Sequence, residues 1–278
     1  MSAAREAKKE LKEVREAMGK IEPFFRPIGK PAPDDWLESH NEPGQTFEEY
    51  LDSDPVRPSK DRQKLYVLPL GTFTPQQKKV IDIAAEYLEA FYDLSVVEMP
   101  ERKLTAVWPN VRQNRFTKTR QIKTGHILND ILKPTLPADA AALVAFTNDD
   151  LYPNETMNYV FGQASLEDRV GVWSLARLDD SANYDKFLRR TLKIAAHETG
   201  HMFSMRHCTK YECLMSGTNH IGETDRRPID ACPECMAKIC WLSDITASER
   251  YRKLAEFCRR NGLTSEADEF DRKAKAVQ

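Results

Sequence analysis

Hydrophobic positions in the middle of the chain change repeatedly between a strand period and a helix period, which predicts alternating strands and helices. Residues 64–70 are enriched in apolar and β-favouring residues, and a helical period follows the break at Gly71. Residues 141–147 form an unbroken apolar run, as in a strand buried on both faces. The other elements predicted here are strands at 94–98, 158–164 and 169–178 and a helix at 121–132. Together they predict a mixed sheet with flanking helices, an α+β fold.

The two ends of the chain are dominated by polar and charged residues. Residues 1–18 predict an exposed helix, and the proline-rich residues 23–60 predict an extended lead-in rather than a packed element. Helical periods return at residues 185–204, 248–260 and 265–276. We therefore predict three segments: a peripheral N-terminal helix and lead-in at 1–63, a main domain at 64–242, and a C-terminal helical pair at 243–278.

Composition narrows the class of protein. The chain has 278 residues and a net charge of -2, which gives no electrostatic reason to expect a nucleic acid partner. No stretch reaches the roughly 18 consecutive apolar residues of a membrane span, and the charged N-terminus has no signal-peptide core. We expect a cytoplasmic monomer that binds neither nucleic acid nor membrane.

His197, Glu198 and His201 form an HExxH motif within the predicted helix at 185–204. Two histidines four residues apart project from one helix face, one turn apart, and can bind one metal ion. A catalytic zinc takes three protein ligands and a water molecule, and a carboxylate beside it can take the proton of that water. The motif therefore predicts a zinc site with Glu198 as general base, although an accidental spacing of two histidines is the alternative.

His207 is the candidate for the third zinc ligand. A straight helix would carry it about 9 Å beyond His201, so the helix has to end and turn back between them. Families with this spacing usually have glycine at the turn, whereas this chain has Ser204, which reaches the left-handed conformation at a cost of about 1–2 kcal/mol or bends the chain differently.

Four cysteines follow the histidines: Cys208, Cys213, Cys232 and Cys235. Four thiolates without an open position are typical of a structural zinc site, which contributes folding free energy to a loop-rich segment. Disulfides and a redox-active Cys-x-x-Cys pair are the alternatives. Because Cys208 directly follows His207, a metal held by the cysteines would also help to orient that histidine.

The run His197, Glu198, His201, His207, Cys208, Cys213, Met215, Cys232 and Cys235 resembles the signature of the archaemetzincins, which are metzincin-clan zinc peptidases. The resemblance covers about residues 64–242. It implies a metzincin-like fold with a mixed twisted sheet, an active-site helix and a lower subdomain stabilised by a four-cysteine zinc.

The resemblance also implies roles for individual residues. It makes His197, His201 and His207 ligands of a catalytic Zn²⁺, the four cysteines ligands of a second Zn²⁺, and Met215 the methionine of a turn beneath the catalytic metal. The expected substrate is a peptide or protein, bound along an edge strand for which residues 158–164 are the candidate. Aminopeptidase action on short peptides is permitted. A zinc-stabilised binding module without hydrolytic activity and a zinc-ribbon nucleic acid binder are the alternatives.

Overall fold

The computed structural model describes residues 3–165, 167–180 and 182–278, which form two units. The helical unit comprises Met1–Arg57, Ala90–Asp93 and Met205–Gln278, and the sheet unit comprises Pro58–Glu89 and Leu94–Ser204. The division into three segments predicted from the sequence stays a prediction.

The sheet unit contains the strands of the described chain. They are β1 (Lys64–Pro69), β2 (Ser95–Glu98), β3 (Val111–Gln113), β4 (Arg120–Lys123), β5 (Ala140–Thr147), β6 (Asp150–Tyr152), β7 (Gly162–Ala164) and β8 (Val170–Ser174). Five strands form one sheet in the order β2-β1-β5-β8-β7, and the other three form a small sheet in the order β3-β4-β6. In the larger sheet only β7 runs antiparallel to its neighbour. The small sheet is also mixed, because β3 and β4 are antiparallel whereas β4 and β6 are parallel. The predicted α+β class with a mixed sheet is therefore confirmed.

Helices cover the larger sheet. The sheet unit carries α4 (Pro75–Tyr92, whose last turn belongs to the helical unit), α5 (Thr124–His126), α6 (Lys133–Thr135) and α7 (Tyr184–Met202), with a wider helical turn at Ile127–Leu132 between α5 and α6. Every residue of the central strand β5 is buried, which explains its unbroken apolar sequence. Ile127, Leu132 and Leu143 belong to one buried cluster, so this helical segment packs on the sheet.

The helical unit contains α1 (Ala3–Ile21), α2 (Trp36–Ser39), α3 (Phe47–Asp52), α8 (Ile221–Arg226), α9 (Pro233–Ser243), α10 (Ala247–Arg260) and α11 (Thr264–Ala276). Its interior includes a buried ionic group in which Asp230 lies 3.2 Å from Arg250 Nη1 and 2.9 Å from Lys273 Nζ. Both cationic side chains are fully buried, so Asp230 compensates two charges that water does not reach.

Three predicted elements differ from the structure. Residues 23–60 are not merely an extended lead-in, because Phe47 and Tyr50 of α3 are buried. The predicted helix at 121–132 begins as a strand, since Gln121–Lys123 pair with β6 before the chain becomes helical at Thr124. The cysteine-rich region contains α8 and α9, which the sequence analysis describes as irregular loops. None of the helices among the described residues has the length and apolar character needed to cross a bilayer.

Candidate metal sites

The histidine motif occupies the last two turns of α7. The helix begins where the side chain of Asn183 accepts a hydrogen bond from the backbone N–H of Lys186, and its apolar face is buried. His197 and His201 lie one turn apart, and their Nε2 atoms are 3.0 Å apart. Two nitrogens bound to a tetrahedral zinc at about 2.0–2.1 Å would be separated by about 3.3 Å, so this pair fits the metal.

The chain reverses direction directly after the motif. The N–H of Phe203 donates to the carbonyl of Gly200 at 3.1 Å, and the N–H of Ser204 donates to that of His201 at 2.9 Å. Ser204 adopts a φ of 63°, so the serine does take the left-handed conformation for which glycine is usual. His207 follows this turn and belongs to the helical unit. The turn thus ends α7 between His201 and His207, as the predicted third ligand requires.

His207 is held by a residue that the sequence analysis does not identify. Its Nδ1 lies 2.9 Å and 3.1 Å from the two carboxylate oxygens of Glu42. An ionised carboxylate only accepts hydrogen bonds, so Nδ1 carries the proton and donates it. Burial raises the pKa of Glu42, but hydrogen bonds from His207 and Trp36 help to lower it below the ordinary value. Glu42 lies in the proline-rich segment, where no spacing or period marks it.

Glu198 lies next to the outer strand of the larger sheet. A Cβ atom on Gly162 would approach Glu198 Cγ to 3.2 Å, so the absence of a side chain at Gly162 leaves room for the stem of the Glu198 side chain. Burial raises the pKa of Glu198 to about 8. A cation held by the neighbouring histidines would oppose this shift, because it favours the charged carboxylate.

Strand β7 forms one edge of the larger sheet. It pairs with β8 through Gly162↔Trp173 and Ala164↔Gly171, and among the described residues it has no strand on its other side. The structure therefore places part of the predicted edge at 158–164 on the border of the sheet, beside Glu198. The side-chain oxygen of Gln163, the middle residue of β7, accepts a hydrogen bond from Thr124 Oγ1.

The four predicted cysteines converge in the helical unit. One sulfur atom from each of Cys208, Cys213, Cys232 and Cys235 lies within 4.8 Å of the others, and all four residues are buried. They are free thiols, so the disulfide alternative does not hold in this structure. Burial raises the pKa of Cys213 and of Cys232 well above the ordinary thiol value, while hydrogen bonds from the other three lower the pKa of Cys208. A divalent cation would replace the shared protons, and the donor set therefore fits a structural zinc.

Backbone hydrogen bonds tie this sulfur cluster to the methionine loop. The N–H groups of Met215 and Cys232 point at Cys213 Sγ, at 3.4 Å and 3.2 Å. The N–H of Cys208 donates to the carbonyl of Met215 at 2.8 Å, and the Met215 side chain is fully buried. A metal held by the cysteines would consequently fix both Met215 and the residue after His207.

A third group of metal-ligand residue types is held together by ion pairs. Asp35, His220 and Glu223 also lie close together. Arg226 donates to Asp35, and Arg227 donates to Glu223 at 2.9 Å. Glu223 also accepts from the backbone N–H of Trp36 at 3.0 Å. These contacts neutralise the carboxylates and anchor the N-terminal segment, so the group is an ionic network rather than a metal site.

Comparison with known proteins identifies relatives along most of the chain. The profile of peptidase family M54 matches residues 82–240. Archaemetzincin-2 of Macaca fascicularis is 35% identical over 88% of this chain and 77% of the relative, and archaemetzincin-2 of Homo sapiens is 34% identical with the same coverage. Among solved structures, archaemetzincin of Methanopyrus kandleri is 27% identical, with a TM-score of 0.53 over 64% of this chain and 93% of that chain.

Proposed function

This chain belongs to peptidase family M54, the archaemetzincins, and is a zinc metallopeptidase with the zincin-like fold of that family; from this premise we propose that Glu198 is its general base and that it binds two zinc ions. Peptides or proteins are its substrates. The single observation that carries the proposal is the pair of imidazoles of His197 and His201, whose Nε2 atoms are 3.0 Å apart on the helix that also places Glu198 beside the edge strand β7.

The residues present fit a catalytic zinc. His197 and His201 would hold it with His207 as the third ligand, because neutral imidazoles are preferred zinc donors and the first two Nε2 atoms already face each other. When bound, zinc acidifies water and polarises a carbonyl group. The Ser204 turn and Glu42 then position the third imidazole.

Glu198 would handle the protons of the reaction. Its carboxylate takes a proton from the attacking water and delivers it to the nitrogen of the departing amine, which leaves with a neutral charge. Both transfers need a carboxylate that is held close to the water. The packing of the Glu198 side chain against Gly162 would help to hold it there. Glutamine at this position would keep the shape but could not accept the proton.

The edge strand β7 would align the substrate. Its outward backbone groups can pair with an extended peptide, which places the scissile carbonyl in a fixed register relative to Glu198. Either an endopeptidase or an aminopeptidase could use this edge. We propose aminopeptidase action on short peptides as the finer activity, supported by the family resemblance.

The four cysteines would hold the second zinc. Their burial and the two N–H groups directed at Cys213 Sγ support a closed structural site. A cytoplasmic location and a monomeric state without nucleic acid or membrane partners stay predictions.

One experiment tests the activity and the metal content together. Wild-type protein and Glu198→Gln would be analysed for bound metal and incubated with a peptide library in which half of the peptides carry an acetylated N-terminus. We expect two zinc ions in both proteins, cleavage by the wild type alone, and a preference for free N-termini. A single bound zinc, or undiminished cleavage by Glu198→Gln, would contradict the proposal, and equal cleavage of acetylated peptides would replace aminopeptidase with endopeptidase action.

A further inference from the structure

His207 presents two ring nitrogens, and Glu42 contacts one of them. Nδ1 is hydrogen-bonded by Glu42 at 2.9 Å and 3.1 Å. The proton on Nδ1 leaves the lone pair on Nε2, and the tautomer of the neutral ring is therefore set by the carboxylate. This is the arrangement in which a carboxylate supports a metal-bound histidine from behind.

The segment that carries Glu42 is fastened on both sides of the carboxylate. The side-chain oxygen of Gln45 accepts the backbone N–H of Arg206, the residue before His207, at 3.1 Å. Lys238 Nζ donates to the carbonyl of Gln45 at 2.6 Å. Gly44 has a φ of 74°, and any Cβ there would collide with the side chain of Thr209. The chain thus passes so close to Thr209 that a side chain at residue 44 would force Thr209 to move.

An aromatic residue of the same segment also contacts His207. The Trp36 ring stands edge-on to the imidazole, with the centroids 5.2 Å apart and the planes at 81°. On its other side Trp36 stacks on His40 at 3.7 Å. Gly217 leaves room for the indole, because a Cβ there would lie 2.5 Å from Trp36 Cδ1. The plane of the His207 ring is therefore restrained as well as its tautomer.

We propose that Glu42 is a positioning residue for His207, the third proposed ligand of the catalytic zinc. Glu42 accepts a hydrogen bond from Nδ1–H of His207. This keeps the lone pair of the neutral ring on Nε2, which would bind the metal. The inference rests on the proposed role of His207 as a zinc ligand. It goes beyond the family assignment, because Glu42 lies outside the residues 82–240 that match the family.

The competing possibility is an ordinary ion pair at the surface. Such pairs contribute little to stability and do not affect the binding of a particular metal. The side chains of Glu42 and His207 are 29% and 18% exposed, so this pair is more buried than a surface pair such as Lys9 and Glu13, at 75% and 53%. The distinction between the two roles is whether loss of Glu42 weakens one zinc selectively.

The test measures zinc affinity in the full-length protein by chelator competition. Glu42→Gln removes the charge and Glu42→Asp shortens the side chain by one methylene, while Glu38→Gln is a matched control on the exposed face of α2. We expect Glu42→Gln to lower the binding affinity for one of the two zinc ions by about 10–100-fold and Glu42→Asp to lower it less. Glu38→Gln should bind both zinc ions with wild-type affinity. The second zinc and the melting temperature of the metal-free protein should not change.

Two further measurements keep the outcomes distinct. His207→Ala should lose the same zinc that Glu42→Gln weakens; if His207→Ala keeps both zinc ions at wild-type affinity, the ligand assignment has failed. If His207→Ala loses a zinc but Glu42→Gln binds both as tightly as Glu38→Gln, the proposal for Glu42 is overturned. Nitrogen NMR of the zinc-loaded wild type needs no variant: a proton on Nδ1 of His207 and metal on Nε2 is the expected result, and the reverse would also overturn it.

Discussion

Gly162 is the position on the edge strand where a single methyl group would reach the proposed general base. An alanine Cβ there would lie 3.0 Å from the carbonyl oxygen of Val172, 3.0 Å from Trp173 Cβ and 3.2 Å from Glu198 Cγ. The first two contacts involve backbone or near-backbone atoms that cannot rotate away, so β7 or the Glu198 side chain has to shift by a few tenths of an ångström. Overpacking of this kind costs about 1–3 kcal/mol of stability.

Gly162→Ala should lower the rate of catalysis as well as the stability of the protein. Misplacing a catalytic group by 1 Å can cost about 100-fold in rate, so a smaller shift of Glu198 should lower kcat by about tenfold, or ~1.4 kcal/mol in the activation barrier. Two other glycines of the sheet unit serve as controls. In Gly171→Ala the methyl group would lie 2.7 Å from Trp173 Cζ3 and 3.3 Å from Met202 Sδ, and in Gly125→Ala its nearest neighbour is Asn129 Nδ2 at 3.9 Å.

The assay pairs urea unfolding with steady-state cleavage of a fluorogenic peptide. Gly162→Ala and Gly171→Ala should both lose stability, but kcat should fall about tenfold more in Gly162→Ala, while Gly125→Ala should match the wild type in both measurements. If Gly162→Ala and Gly171→Ala lose the same activity, contact with Glu198 is not what Gly162 provides.

Three further predictions concern stability. Cys235→Ser should release one zinc and lower the free energy of unfolding by several kcal/mol, whereas Cys258→Ser, which changes a buried thiol outside the cluster, should keep both metals; equal metal content would refute this. Asp230→Ala removes the carboxylate that two buried cations share and, although Lys273 keeps its ion pair with Glu269, should cost about 3 kcal/mol in urea unfolding, against less than about 1 kcal/mol for the exposed Asp271→Ala, so similar losses would be evidence against the buried network. Burial raises the pKa of Asp35, but hydrogen bonds from Arg226 and Ala32 lower it more; the stability that Asp35 adds should thus be present above about pH 4 and be lost as the pH falls through its folded pKa, and a stability difference from Asp35→Asn that stays constant down to about pH 3 would exclude this.

The helix of the active centre could be predicted because its signals are local. The 3.6-residue period, the acidic first turn and the spacing of His197 and His201 all lie within one stretch of chain. The cysteine cluster could also be predicted, since four thiols in one short segment of a long chain favour metal ligation over disulfides. The sequence could not decide whether Ser204 adopts the left-handed conformation or the chain bends in another way, because a serine gives no direct signal for a positive φ.

The contribution of the N-terminal segment could not be predicted because its contacts are distant in sequence. Glu42 and His207 are 165 residues apart, and neither the proline-rich composition nor any period connects them. Helix α9 could not be predicted from the sequence for a different reason. Nearly all of its residues are buried, so it lacks the polar face that normally marks a helix, and its cysteines suggest a metal loop.

The shortness of β7 also bears on how the protein behaves at high concentration. An open sheet edge invites pairing with the same edge of another molecule, which is a common route to aggregation. Only three residues of β7 pair with β8, and the N–H of Ser165 then folds back to the carbonyl of Val170 at 2.9 Å. A second sheet docking there would gain few hydrogen bonds. We therefore expect this edge to be a poor template for pairing between molecules, even though it could align a short peptide as proposed.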